Sequence, residues 1–172
     1  MTYSCPIYCG IVTLKRNGVI IMKDEFAKHQ ELLWRKIGTH GVMVLSTCAD
    51  NRVTCRSMSV IFHDGKFYCQ TDENYLKYKQ IMKNPKVALC YKNYSIEGVC
   101  RCLGKPLDEN NDFFTNIFKK YFYGSYKAYS AIPTECLLEI IPLLVYTWKY
   151  ELTKPYMEYW DFRSGKYSKE YK

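Results

Sequence analysis

Short hydrophobic runs separated by polar turns dominate the chain. Residues 42–45 form a continuous apolar run, which predicts a strand covered on both sides. Residues 53–62 alternate instead, so a strand there directs successive side chains to opposite faces. One face carries Thr54, Arg56, Met58, Val60 and Phe62, and the other carries Val53, Cys55, Ser57, Ser59 and Ile61. Further strands are predicted over residues 67–70, 86–91, 96–103 and 136–151.

Three helices are predicted between these strands. The first covers residues 24–38 and ends at Gly38. The second covers residues 71–83, where Thr71 can cap the first turn and Asn84-Pro85 ends the last one. Its buried stripe is predicted to be Tyr75, Tyr78 and Met82. The third runs from residue 107 to about residue 123 and is broken by residues 124–126.

About six core strands that follow one another through tight turns predict a mainly β fold. The expected architecture is an antiparallel sheet curled into a small barrel, with the helices packed outside it. The length of 172 residues fits one domain spanning residues 1–172. Residues 1–23 are predicted to add a β-hairpin that turns at Asn17-Gly18, and Pro142 requires an edge or bulge position. The tail over residues 152–172 shows no regular pattern.

Composition narrows the functional classes. The net charge is +8, but the lysines are scattered and no nucleic-acid-binding motif is present, so the charge favours small anionic ligands over nucleic acid. Nine cysteines spread singly through apolar runs are typical of reduced thiols in a cytoplasmic protein, and their spacing does not favour a metal site. The longest apolar run, residues 140–145, is too short to span a membrane.

The stretch over residues 53–91 carries the strongest functional signal. It predicts a strand, a turn, a second strand and a short helix, with Arg56 on the first strand and Lys77 on the helix. Arginine binds phosphate through a two-pronged fork, and lysine contributes a point charge. Such a unit can therefore hold an anion.

The order and spacing of motifs over residues 26–150 resemble the pyridoxamine-phosphate-oxidase-like flavin-binding split barrels. The matching pieces are Val44-Leu45-Ser46-Thr47, Arg56, Asp64-Gly65-Lys66-Phe67-Tyr68, Thr71, Lys77, Ile81, Asn84-Pro85, Val87-Ala88-Leu89, Gly104, Pro142 and Trp148. The resemblance implies a six-stranded antiparallel split β-barrel of the FMN-binding type. It also implies a homodimer with FMN at the subunit interface.

Residue roles follow from the same resemblance. Arg56 and Lys77 are expected to hold the phosphate, with Gln70 and Thr71 beside it. Ser57, Met58 and Ser59 are expected to run along the isoalloxazine ring or the ribityl chain of FMN. Trp148 is expected to reach the flavin from the other subunit. No catalytic side chain is singled out.

The sequence departs from the vitamin-B6 oxidases at several positions, so the resemblance favours another branch of this family. Tyr75 and Leu76 stand where those enzymes carry Ser-Arg, so two phosphate ligands are missing. The arginine-rich motif that follows the tryptophan in those oxidases is replaced by Lys149-Tyr150-Glu151. The chain resembles more closely the general-stress and nitroimidazole-reductase-like branches.

Three functions stay open at this point. The first is an FMN-dependent oxidoreductase that acts on a small molecule and uses a reduced nicotinamide or the substrate as hydride donor. The second is a non-catalytic flavin- or haem-binding stress or sensor protein. The third is a structural dimer that has lost its ligand.

Overall fold

The computed structural model describes residues 25–172, in which an eight-stranded antiparallel sheet carries four α-helices. The strands are β1 (His40–Ala49), β2 (Arg52–His63), β3 (Lys66–Asp72), β4 (Lys86–Tyr91), β5 (Tyr94–Cys102), β6 (Glu135–Glu151), β7 (Lys154–Asp161) and β8 (Lys166–Tyr171). The helices are α1 (Glu25–Ile37), α2 (Leu76–Lys83), α3 (Asp112–Tyr121) and α4 (Tyr123–Tyr129), and a single 3-10 turn (Glu109–Asn111) precedes α3. The hairpin predicted over residues 1–23 lies outside the described residues.

The first six strands close into a barrel. Strand order is β3-β2-β1-β4-β5-β6, and β3 pairs again with β6 to complete the ring. The prediction of a six-stranded antiparallel barrel is therefore confirmed. β7 pairs with the second half of β6, and β8 pairs with β7, so the sheet extends beyond the barrel. The sequence pattern of residues 152–172 had indicated no regular structure.

Tight turns hold the first three strands in register. Asp50 and Asn51 have φ angles of 51° and 56° between β1 and β2, and Asp64 and Gly65 have φ angles of 47° and 75° between β2 and β3. Two consecutive left-handed residues match the right-handed twist of a hairpin, which is why Asp, Asn and Gly stand there. Both polar turns predicted from the sequence are confirmed.

Pro142 lies at a bulge, as predicted. The pairing of β5 with β6 shifts between Glu97 and Gly98, and Gly98 lies opposite Pro142. A Cβ atom on Gly98 would lie 2.6 Å from the carbonyl oxygen of Ile141. The glycine therefore permits the close backbone approach that the bulge creates.

Hydrophobic side chains form an interior core and a second core outside the barrel. The interior core is built from β-strand residues such as Leu45, Val60 and Leu89, together with Leu33 and Ile37 of α1. Outside, Phe114 and Phe118 of α3 pack on Ile61, Tyr68 and Leu137. The helices thus cover only part of the outer surface.

β1 departs from its prediction because no described element covers its outer face. Met43 and Leu45 are buried, but Val42 is 61% exposed and Val44 is 37% exposed. The run of four apolar residues had suggested a strand covered on both sides, and this is wrong for the single chain. An apolar outer face remains uncovered.

α2 also departs from its prediction. Thr71 belongs to β3 and α2 begins only at Leu76, because the Asp72 side chain accepts a hydrogen bond from the Asn74 backbone N–H (2.7 Å) and closes a turn there. Tyr75 and Met82 are exposed, whereas Gln80 and Ile81 are buried. The predicted stripe was therefore wrong at these positions.

The third predicted helix is two helices. α3 ends at Tyr121, and Phe122, with φ −130° and ψ 47°, separates it from α4. Residues 124–126 were expected to break the helix but lie within α4, where the glycine position faces open space. Within residues 25–172, no helix is long and apolar enough to cross a lipid bilayer.

Candidate functional site

α2 lies against one end of the barrel and places a polar side chain there. Gln80 is only 3% exposed. Its Oε1 accepts hydrogen bonds from the hydroxyls of Thr47 and Thr54, both at 2.6 Å, and its Nε2 donates to the carbonyl oxygen of Arg52 at 2.7 Å. A buried amide with its hydrogen-bonding groups satisfied fixes the position of its neighbours.

Arg56 is attached to this network. Its Nη1 donates to the carbonyl oxygen of Leu45 at 3.1 Å and to Thr47 Oγ1 at 2.8 Å, and its Nη2 donates to Thr54 Oγ1. All three acceptors are uncharged. Burial lowers the pKa of Arg56 from its ordinary value, and no carboxylate of residues 25–172 pairs with the guanidinium.

Lys77 lies one turn before Gln80 on α2. Its Nζ lies 4.4 Å from the centre of the Tyr75 ring. Burial lowers the pKa of Lys77, and the positive charge of Arg56 lowers it further, while Glu135 and Asp72 act in the opposite direction. Lys77 makes no ion pair within the described part of the chain. The structure therefore brings two half-buried cations close enough to repel each other.

A cleft of about 250 Å³ opens beside Lys77. It is lined by the end of β3, the start of α2, the residues after α4 and the first residue of β6, namely Gln70, Thr71, Asp72, Tyr75, Lys77, Tyr129, Ile132 and Glu135. Burial raises the pKa of Glu135 to about 7, with a contribution from the negative charge of Asp72. The cleft thus presents one cation beside a carboxyl group that titrates near neutral pH.

Gln70 and Thr71 border this cleft at the positions where the resemblance implies phosphate contacts. The Gln70 amide is already bonded on the α4 side, because Ser130 Oγ donates to its Oε1 at 2.7 Å and its Nε2 donates to the carbonyl oxygen of Ser125 at 3.4 Å. Thr71 is only 3% exposed. Of the predicted phosphate-site residues, Lys77, Gln70 and Thr71 line one cleft, and Arg56 is not among the residues that line it.

The alternation of β2 separates the other predicted contacts. Met58 packs against the interior core. Ser57 and Ser59 face outward, opposite Val44 and Val42 of β1. Trp148 is 43% exposed on β6. The structure therefore divides the predicted contacts between the end of the barrel and its outer face.

Four site residues were not identified from the sequence: Thr47, Thr54, Gln80 and Glu135. Gln80 carries a weak signal, since it stands three positions after Lys77 and thus on the same side of the helix. Glu135 carries none, because a glutamate that opens a strand is ordinarily solvated.

Residues 28–149 match the family model of pyridoxamine 5′-phosphate oxidase. The chain belongs to this family. The match spans the barrel from α1 to β6, so the arrangement of Arg56, Lys77 and Gln80 lies inside the family region. No curated protein matches the chain.

Solved structures that resemble this member of the pyridoxamine 5′-phosphate oxidase family share its fold. General stress protein 26 from Bacillus anthracis str. Sterne has a TM-score of 0.51 and 22% identity, covering 70% of this chain and 92% of its own. A pyridoxamine 5′-phosphate oxidase-related, FMN-binding protein from Nostoc punctiforme PCC 73102 has a TM-score of 0.53 and 15% identity, covering 85% and 94%. The haem storage protein HutZ from Vibrio cholerae has a TM-score of 0.52 and 11% identity, covering 59% and 80%. At these identities the likeness establishes the fold alone.

Within residues 25–172, no group of three or more His, Cys, Asp or Glu side chains is arranged to hold a metal ion. The seven described cysteines are free thiols.

Proposed function

We propose that this protein binds FMN and acts as a flavin-dependent oxidoreductase on a small molecule. The observation that carries the proposal is the pair of half-buried cations, Arg56 and Lys77, without a carboxylate partner among the described residues. Burying charge is costly unless a counter-charge is present, so two interacting cations that form no ion pair favour an anionic ligand. The phosphate group of FMN is such an anion.

The residues of the site fit a phosphate in chemical type. Thr47 and Thr54 hold the Arg56 guanidinium from one side, and its remaining N–H donors have no partner in residues 25–172. A guanidinium held in one orientation needs less ordering when it binds a phosphate. Lys77 adds a second charge at the cleft. Bound FMN supplies the capacity to accept and pass on a hydride, and the chain supplies binding and orientation.

A homodimer is part of the proposal. The outer face of β1 and β2 leaves Val42 and Val53 61% and 69% exposed, beside Ser57 and Ser59, and Trp148 is exposed on β6. An apolar sheet face of this kind is typical of a protein–protein interface. Partner residues brought by the second copy would complete the ring-side contacts implied for Ser57, Ser59 and Trp148. The described cysteines are all free thiols and three of them are buried, which favours a reducing cytoplasm for this dimer.

Flavin binding is tested by titrating the purified protein with FMN and with riboflavin and following the quenching of flavin fluorescence. Arg56→Ala and Lys77→Ala are each expected to weaken FMN binding about 10- to 100-fold, because a hydrogen bond to a charged group contributes roughly 1.5–3 kcal/mol. Riboflavin, which lacks the phosphate, should bind all three proteins alike. Matched controls are Arg52→Ala and Lys79→Ala, exposed cations on the same strand and the same helix.

The catalytic part is tested by adding NADH or NADPH to the FMN-loaded protein and recording nicotinamide oxidation. Turnover that is lost in Lys77→Ala supports the oxidoreductase. A stable yellow protein without turnover would instead assign a non-catalytic flavin-binding role. Equal FMN affinity in the wild type, Arg56→Ala and Lys77→Ala would refute the assigned site.

The dimer is tested by analytical ultracentrifugation. Val42→Lys places a charge on the exposed apolar face and is expected to convert a dimer to a monomer. Leu152→Lys, at a residue 96% exposed in the β6–β7 turn, is the control. A wild-type protein that sediments as a monomer at all concentrations would refute this part of the proposal.

A further inference from the structure

Glu135 is a buried carboxyl group without a described partner. It is 4% exposed, it opens β6, and it pairs in register with Asp72 of β3. Its side chain faces the cleft beside Lys77 and makes no hydrogen bond or ion pair within residues 25–172. No fully buried side-chain oxygen or nitrogen of the described residues lacks a hydrogen bond, so the unpaired carboxyl oxygens of Glu135 are open to the cleft. A carboxyl group in such a mostly buried position can change its protonation state when a ligand enters.

Charged and titratable groups surround it from each adjoining element. β3 contributes Asp72, α2 contributes Lys77, and Tyr129 borders the cleft from the end of α4. The thiols of Cys69 and Cys136 lie on the barrel side and interact with it. The positive charge of Arg56, which does not line the cleft, also acts on Lys77. Lys77 is the one cation among the residues that line the cleft.

Asp72 is the contrasting carboxylate at the same rim. It is held by hydrogen bonds from Thr134 Oγ1 at 2.5 Å and from the Asn74 backbone N–H at 2.7 Å. These bonds keep the pKa of Asp72 below its ordinary value. Asp72 therefore stays ionised near neutral pH, whereas Glu135 has no such donors.

An anion that enters the cleft to reach Lys77 must lie beside Glu135, because both side chains line the same 250 Å³ space. Two negative groups competing for one lysine in a half-buried site repel each other strongly. The conflict is removed when the carboxylate takes up a proton. Ligand binding and protonation then favour each other, as linked equilibria must.

We propose that Glu135 is the proton-linked specificity residue of this cleft: its neutral form admits a dianionic phosphate ester beside Lys77, and its ionised form excludes it. One proton from solvent adds to the Glu135 carboxylate as the dianion binds, and no other covalent bond changes. The inference rests on the proposed phosphate-binding function and adds the residue that makes binding depend on pH.

The test is the dissociation constant of FMN between pH 7 and 9, where the phosphate, with its second pKa near 6, stays a dianion. The wild type is expected to lose affinity by up to tenfold per pH unit, the limit for one linked proton. Glu135→Gln, which mimics the neutral carboxyl, is expected to lose less affinity than the wild type between pH 7 and 9, because only the lowered pKa of Lys77 still makes its binding depend on pH. Asp72→Asn is the matched control and should keep the wild-type slope.

Calorimetry provides a second readout. Titrations at pH 8 in two buffers of different ionisation enthalpy count the protons taken up on binding. The wild type should take up a proton fraction that Glu135→Gln lacks, and circular dichroism verifies that the variant is folded. A wild-type affinity that does not change with pH, or a Glu135→Gln slope equal to the wild type, would overturn the inference.

Sulfate, a dianion throughout this range, separates this inference from the proposed function. It is used as a thermal-shift probe, with Lys77→Ala as the baseline for non-specific salt effects. Sulfate stabilisation that weakens with pH more steeply in the wild type than in Glu135→Gln supports the inference even if FMN does not bind. Absence of both FMN and sulfate binding at every pH would overturn both.

Discussion

The hydrogen bonds of Gln80 predict how much stability the protein loses when this residue is replaced. Replacing it by leucine keeps the volume similar but removes the acceptor for two hydroxyls and the donor for the Arg52 carbonyl. Thr47 is 2% exposed and should lose most, whereas Thr54 and Arg52 have access to water. A buried group left without a partner costs about 1–3 kcal/mol, so the three groups together should cost about 3 kcal/mol after the apolar gain of leucine is subtracted.

The assay is urea unfolding followed by tryptophan fluorescence, with thermal unfolding as a second measurement. For a chain of this length a loss of about 3 kcal/mol corresponds to a fall in Tm of roughly 6–12 °C. Met82→Leu, exposed on the same helix, is the control and should change little. FMN affinity of Gln80→Leu should also fall, because Thr47 and Thr54 then lose the contact that fixes them against Arg56.

A double-mutant cycle with Thr47→Val tests whether the lost stability comes from the bond between Gln80 and Thr47. If the cost comes from an unpaired hydroxyl, the double variant loses about 1 kcal/mol less than the sum of the single variants. Additive losses, or a loss below about 1 kcal/mol for Gln80→Leu alone, would mean that the network does not hold the end of the barrel.

Three further predictions concern stability. Gly98→Ala should lose about 1–3 kcal/mol by chemical denaturation, because its Cβ meets the Ile141 carbonyl oxygen at 2.6 Å. Gly124→Ala, with open space in α4, should gain up to about 1 kcal/mol, and equal effects of the two substitutions would contradict the close approach. Because the pKa of Glu135 is raised from 4.5 to about 7, its ionisation should cost stability progressively from pH 4.5 to 7. The limit is about 3 kcal/mol, which wetting from the cleft reduces to about 1–2 kcal/mol. Glu135→Gln should lack this slope in urea midpoints measured from pH 4 to 8. Glu139 behaves oppositely: hydrogen bonds from Arg101 and Lys66 outweigh burial and hold its pKa below 4.5, so its contribution is present at neutral pH and lost as pH falls through the lowered value. Glu139→Gln should therefore destabilise the protein at pH 7 more than at pH 3, and an equal loss at both would exclude the charge as the cause.

Local chemistry explains which parts of the fold the sequence predicts. The Asp50-Asn51 and Asp64-Gly65 turns need left-handed residues, and Pro142 needs a bulge, so each leaves a signal at its own position. Alternation over residues 53–62 assigned the two faces of β2 correctly for the same reason. Each signal is read within a few residues.

The errors lie where a distant partner decides. Gln80 is buried because Thr47, Thr54 and Arg52 require its amide, and these residues lie about thirty positions earlier in the chain. Val42 and Val44 are apolar although no described element covers them. An apolar run alone therefore cannot distinguish a strand that is buried on both faces from a strand with one exposed apolar face. In the tail, Trp160 is buried in the interior core, and its Nε1 donates to the carbonyl oxygen of His29 on α1, more than 130 positions earlier.

The alternation of β2 also constrains how a ligand can use the site. Arg56 bonds to the network at the barrel end, whereas Ser57 faces outward opposite Val44. If FMN needs both the cations at the barrel end and the outward-facing Ser57, its affinity must depend on the second copy that covers the outer face. FMN affinity should then rise with protein concentration through the dimerisation midpoint, and Val42→Lys should weaken it without touching either cation. If Val42→Lys binds FMN as the wild type does, the cation pair alone forms the site and the outer face serves only association.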